Sequence, residues 1–267
     1  MTLPHRDPLL RALDRLDAPV NFFVRDDDAG WVDERLIALL AVMAEAGVPI
    51  DLAAIPTVVT PALAGVLTAR RRAGQVIGIH QHGYAHTNHE TTGRKCEFGP
   101  TRDAAQREAD LRLGREQLRA LFGDDLDPIF TPPWNRVSAD TPHMLTALGF
   151  VALSRDVTAP PQQALPEIAV HTDWSKQWRL VPPRQGEPEM LIAQDLSQHV
   201  SAGACVGLML HHAAMSASEF EALHGLLGSW VGHPKARWMR MRDLLPTASS
   251  YLRATTPRVA KALSITD

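Results

Sequence analysis

The sequence has little cysteine, few aromatic rings and no long apolar run, and each shortage removes a class of protein. Cys96 and Cys205 are the 2 cysteines in 267 residues. They form neither a disulfide framework nor a Cys-x-x-Cys pair, and are read as reduced and structural. No stretch is apolar and long enough to span a bilayer. The N-terminal MTLPHRDPLLRALDRLD is charged throughout and lacks the apolar centre of a secretory signal. These features lead to the expectation of a cytoplasmic protein that does not enter a membrane. The net charge of −3, from 27 basic and 30 acidic residues, has no long basic stretch behind it, so nucleic acid is not an expected partner. Aromatic residues are 6% of the chain, with 6 Trp but 2 Tyr, and outline no long sugar-stacking groove.

What the sequence does have is apolar material for a large core, 45% of its residues, in a regular alternation. Strands are expected at Val20–Arg25, Ile50–Ile55, Val76–His80, Pro128–Thr131, Phe150–Ser154, Ile168–Thr172, Cys205–Leu210 and Arg237–Arg240. Helical spacing covers Asp33–Ala46, Ala62–Ala73, Arg102–Phe122, Asp140–Leu148, Met190–Ser201 and Ser218–Val231, with Gly47 and Gly74 closing the first two. Alternation of this kind predicts a parallel sheet with helices outside it, as an open sheet or a barrel. The Pro-rich stretches 159–166 and 182–188 read as surface excursions, so a single domain over 1–267 is expected, its motif-bearing core at about 20–240.

In parallel α/β folds the chemistry gathers where strands end. Asp26, Asp27 and Asp28 follow the first expected strand, and His80, His82, His86 and His89 follow the third. Pro132-Pro133-Trp134-Asn135 follows the fourth, His171-Thr172-Asp173-Trp174 another, and His211-His212 the Cys205–Leu210 run. Successive carboxylates raise one another's proton affinity, and a bound cation relieves that repulsion while leaving a second carboxylate free as a base. An isolated Asp-Asp-Asp is equally a helix cap or a solvated turn. Histidines at i and i+4 reach a common metal ion, and imidazole with carboxylate suits Zn²⁺ or another divalent transition metal.

Asp27-Asp28, His82-Gly83-Tyr84-Ala85-His86, Pro133-Trp134 and Leu208-Met209-Leu210-His211 occur in the order seen in polysaccharide deacetylases. The chain thus resembles the NodB-homology group, carbohydrate esterase family 4, over about residues 20–240. The resemblance implies a distorted (β/α)7-type barrel of mainly parallel strands. It also implies a metal-dependent hydrolase that removes an acyl group, acetyl above all, from an N-acyl sugar or related amide. Carried over residue by residue, Asp27 is the general base, Asp28, His82 and His86 the metal ligands, and His211 the general acid. The backbone N–H at Trp134 would hold the oxyanion. The register Asp26/Asp27 and the neighbour His212 remain open at this stage, and His80 and His89 are left as supporting or structural residues.

The third motif departs from the family's Arg-x-Pro-Tyr-Gly, because this chain has Thr131-Pro132-Pro133-Trp134-Asn135. The arginine that would orient the base is missing from position 131, and Arg25 and Arg136 are the nearby candidates to replace it. Asp173-Trp174 resembles the fourth motif only weakly, with packing an equal explanation. Two other readings follow from the departure: a non-catalytic relative that binds a glycan or metabolite, and a metal-free hydrolase of a small cyclic amide.

Overall fold

The computed structural model describes residues 7–180 and 187–245. Most of the Pro-rich stretch expected at 182–188 lies outside them, as do the two ends of the chain. Among the described residues there are eight strands: β1 (Val20–Ala29), β2 (Ile50–Ala54), β3 (Ile77–His82), β4 (Ile129–Thr131), β5 (Ala152–Leu153), β6 (Thr172–Asp173), β7 (Cys205–Leu210) and β8 (Ala236–Trp238). Every pairing is parallel. The order is β5-β4-β3-β2-β1-β7-β6, and these seven strands curl into a half-barrel with helices around it. β8 pairs with Val20–Phe22 and β2 with the Arg25–Ala29 stretch, so the two share one edge of β1 while β7 takes the other.

One segment connects the free edges. The Leu153 N–H donates to Pro166 O, Ile168 N–H to Leu153 O and Val170 N–H to Arg155 O, alongside β5; the next N–H, of His171, donates to Gly207 O on β7. The expected strand Ile168–Thr172 is therefore split between two neighbours, and its regular part shrinks to Thr172–Asp173.

The helices are α1 (Pro8–Asp14), α2 (Asp33–Ala46), α3 (Pro61–Arg72), α4 (Ala104–Phe122), α5 (Thr141–Ala147), α6 (Trp174–Leu180), α7 (Pro188–Gln198) and α8 (Ala217–Trp230). Their ends follow local chemistry. Thr60 caps α3 ahead of Pro61, Gly47 closes α2 at φ 68°, and Ser216 with Glu219 forms a reciprocal capping box on α8. α1 and α6, seven residues each, stand outside the helical spacing read from the sequence. Tertiary contacts hold them instead. Asp7 caps α1 and also accepts the Trp230 indole N–H at 2.8 Å, and Trp174 of α6 donates its indole N–H to Glu219 at 3.2 Å.

Alternation along the strands sorts the two faces of the sheet. Phe22, Val24, Leu52, Ile79, Leu208 and Leu210 join the main core beneath the helices. Phe23 and Met209 face the concave side, where they pack with Ile129, Ala152, Ile168, Val170 and Met241. By the same alternation Arg25, Asp27, His80 and His82 point to the concave side. β1 and β3 both run further than their apolar residues suggest, so the three aspartates and His82 lie within strands rather than after them. Asp has low strand propensity, but here buried partners override it.

Candidate metal centre and active site

Two adjacent carboxylates normally point to opposite faces of a strand. At Asp28 that rule is broken, because its φ is +70° and the β1–β2 register shifts between Asp26 and Ala29. The bulge turns Asp28 back toward the concave face that Asp27 already occupies. Asp26 keeps the regular alternation and faces the other way. It accepts the His212 N–H at 2.9 Å and the ring Nδ1 at 2.6 Å, while the His212 Nε2 lies 2.7 Å from Trp31 O. Both ring nitrogens thus face acceptors. Burial alone would lower the His212 pKa, but Asp26 outweighs it and lifts the imidazole to about 9. Asp26 and His212 form a closed, buried pair, which takes both out of the reacting group.

His82, at the end of β3, and His86, in the following loop, converge on Asp28. Each Nε2 lies 3.2 Å from Asp28 Oδ1, and the three ligand atoms are within 4.8 Å of one another. Asp28 Oδ1 is buried and lacks a hydrogen-bond partner, as expected of an atom placed for a cation. The His82 Nδ1 faces Thr131 O at 3.0 Å, an arrangement that puts the ring proton on Nδ1 and leaves the Nε2 lone pair toward Asp28. The donor set and its orphaned oxygen therefore fit a divalent metal. Without one, burial raises the Asp28 carboxyl, but the imidazoles, His82 first, bring it down to about 2. Burial lowers His82, and Asp28 and Asp27 more than reverse this; His86 is lowered by burial and by His82. The backbone is strained here: His86, Trp134 and Asn135 have φ values of 55°, 56° and 58°. The Trp134 ring packs on His86 with centroids 4.6 Å apart, and Trp31 meets the same imidazole edge-on at 4.8 Å.

Asp27 is clamped by Arg25, two residues back on the same face. Arg25 Nε and Nη2 donate to its two carboxylate oxygens at 2.8 and 3.0 Å. The rest of the guanidinium is shared between Ser154 Oγ at 2.8 Å and Asn135 Oδ1 at 3.0 Å. Burial pushes Asp27 up, yet Arg25 and the histidines outweigh it and leave the carboxyl below its ordinary range. Arg25 therefore holds the aspartate that an arginine at position 131 would hold. Arg136 does not; it donates to Lys95 O. Thr131 instead meets the buried His80 Nε2 at 2.8 Å, and burial with Arg25 alongside pushes His80 down to about 3.

His211, half-buried at the end of β7, brings its Nε2 to 4.0 Å from Asp27 Oδ2. With Trp134, Asn135, Met209, His171 and Lys176 it lines a cavity of about 660 Å³. Asp173 also borders this cavity and accepts the Lys176 N–H at 3.1 Å, whereas Trp174 is fully buried against Trp178 and plays a packing part. His89 lies off the site, its backbone tied to Cys96 and Thr101. Trp31, Asn135 and Ser154 escaped the sequence reading. Asn135 closes the third motif without a role implied for it, and the other two stand in no motif.

No protein-family model matches the sequence. No curated protein matches it either. Solved structures do. A putative polysaccharide deacetylase from Mycobacterium smegmatis is similar over 94% of this chain and 99% of its own, at 16% identity and a TM-score of 0.61. A CE4 family pseudoenzyme from Bacillus anthracis matches over 86% of this chain and 66% of its own, at 17% identity and 0.56. A family 4 acetyl xylan esterase from Clostridium thermocellum, solved with a cobalt ion, matches over 84% and 89%, at 13% identity and 0.56. The chain has the fold of the polysaccharide deacetylases and family 4 carbohydrate esterases.

Proposed function

We propose that this protein is a metal-dependent hydrolase that removes an acyl group, acetyl in the first instance, from an N-acyl sugar or a related amide. The observation that carries this reading is the orphaned Asp28 Oδ1, faced by His82 and His86 at 3.2 Å with the clamped Asp27 beside it. Asp28, His82 and His86 would hold the ion, Zn²⁺ or another divalent transition metal; when bound, it polarises the acyl oxygen and acidifies water. Asp27, ionised and fixed by Arg25, accepts the proton of the attacking water. The Trp134 N–H stabilises charge on the acyl oxygen. His211, across from Asp27, protonates the leaving nitrogen, without which an amine does not depart from a tetrahedral centre. The cavity beside His211 takes the substrate, which we read as a carbohydrate or other small molecule.

Nothing in this reading uses position 131 as the family pattern does, because the base is held from β1. Thr131 at this place favours a non-catalytic binding relative, whereas the Arg25 clamp on Asp27 supports the hydrolase reading. Metal analysis of the purified protein, followed by acetate release from a panel of N-acetylated sugars, tests the proposal. Bound metal in the wild type, and its loss in Asp28→Asn, is the expected result. A metal-free wild type that releases no acetate but opens small cyclic amides would sink it in favour of the cyclic-amide type of hydrolase, and a metal-loaded protein that hydrolyses neither would leave a binding protein.

A further inference from the structure

Glu97 belongs to no motif, yet it is completely buried in the loop between β3 and α4. Among the described residues no lysine or arginine pairs with it. Its partners are backbone. Glu97 Oε1 accepts the N–H of Ala85 at 2.7 Å and of Thr87 at 3.4 Å, and Oε2 accepts that of Tyr84 at 3.1 Å. These donors belong to the loop that carries His86, which wraps around the carboxylate as backbone concavities wrap around anions. Gly83, at φ +57°, has no room for a side chain: a Cβ there would run into Glu97 Oε2 and the Pro133 ring.

The carboxylate is presented from fixed ground. Phe98, the next residue, bridges to Val137, accepts the Ser138 N–H on its carbonyl at 2.8 Å, and stacks edge-on with Phe130. Cys96, the preceding one, donates its backbone N–H to Asn88 Oδ1 at 2.9 Å. The loop it holds is strained, because His86 is a non-glycine residue in the left-handed region. Such a conformation persists only where the surroundings over-determine it. The three N–H bonds to one buried carboxylate flank His86 on both sides and supply that constraint.

We propose that Glu97 is a positioning residue: it holds the 83–87 loop in its left-handed turn before any ligand arrives, and so sets the metal affinity of the Asp28-His82-His86 site. This rests on the metal-binding reading above. Glutamine at 97 keeps the shape but places an amide N–H₂ against one of the three backbone donors, so it cannot satisfy them all. For Glu97→Gln we expect Zn²⁺ affinity, measured by competition with a chromogenic chelator, to fall about 10- to 100-fold. In the metal-free protein, amide exchange should quicken at Tyr84, Ala85 and Thr87 while protection elsewhere is unchanged. Affinity within twofold of wild type would overturn the proposal, as would exchange that quickens across the whole protein. If Glu97→Gln does not fold, Glu97→Asp, which keeps the charge but retracts it by one methylene, is read by the same criteria. Absence of metal binding by the wild type would instead defeat the site reading and the affinity half of this proposal. The exchange measurement, made without metal, then judges the loop-holding half on its own.

Discussion

The two ends of the sheet both bury carboxylates, and they treat them in opposite ways. At the C-terminal ends of the strands, Asp27 and Asp28 are held below the ordinary carboxylate range by Arg25 and the histidines, although burial works against it. At the N-terminal ends, burial pushes Asp51 well up, its Oδ2 accepting the Met241 N–H at 2.9 Å and its Oδ1 having no partner. Asp127, close by, is also raised by burial, against the pull of Arg242 at 3.1 Å. Gly78 separates these two carboxylates at a point where a Cβ would collide with Asp51. Burial is common to both ends; what differs is the partner. One end keeps its charges ready for use and the other disfavours charge altogether.

The comparison can be broken at either end. The largest effect expected is on turnover. Asp27→Asn keeps the shape of the site but removes the proposed base, and on that proposal acyl release should drop by about 10²–10⁴-fold while metal content stays at the wild-type level, as measured by steady-state assay and elemental analysis. Next comes Arg25→Met, which leaves Asp27 buried without its cation and so makes the active end resemble the other. Urea denaturation should show a loss of about 3–5 kcal/mol, much of it recovered when Asp27→Leu is added. An unchanged midpoint for the single variant would mean that the clamp is not a stabilising contact.

Smaller effects concern pH. The folded value of His212, about 9, lies above the ordinary 6.5. Its contribution is therefore fully present below pH 6.5 and lost as pH rises through 9, up to about 3 kcal/mol in all. Melting temperatures across pH 6–10 should fall for the wild type and fall less for His212→Asn. Asp51 is raised from 3.8, so its folded form binds its proton more tightly and stability declines as pH climbs above 3.8. Asp51→Asn retains an acceptor for Met241 and removes the ionisation. It should stabilise the protein by about 1 kcal/mol at pH 7 and give no gain at pH 4.

Much of this arrangement was legible in the sequence, and the illegible parts share a cause. The parallel sheet and its long helices could be read because apolar periodicity is a local signal: α2 has the expected bounds, Asp33–Ala46. The aspartate run and the His82/His86 pair stood out through residue type and spacing, and the family resemblance pointed to Asp28 within the run. Arg25 could only be offered beside Arg136, since choosing between them needed the strand alternation that aims Arg25 at Asp27. The register of the aspartates was open for the same reason: the bulge at Asp28 and the capture of Asp26 by His212 join residues far apart in the chain. Glu97 gave no signal at all, because a carboxylate that binds backbone N–H groups leaves no mark on the residues it binds.

The bulge at Asp28 has a mechanical consequence. The proposed base and the proposed metal ligand are consecutive residues, so one rigid peptide unit fixes the distance between their Cα atoms however the sheet flexes, and only local torsions can change the spacing of their carboxylates. The proposed acid has no such guarantee. His211 sits on another strand, and its distance from Asp27 depends on the β1–β7 ladder staying in register, Asp26 opposite Leu210. Heating or loosening the sheet should therefore uncouple leaving-group protonation while water activation is still intact. Substrates whose leaving group departs unaided, such as aryl esters, would keep turning over under conditions where amides stall.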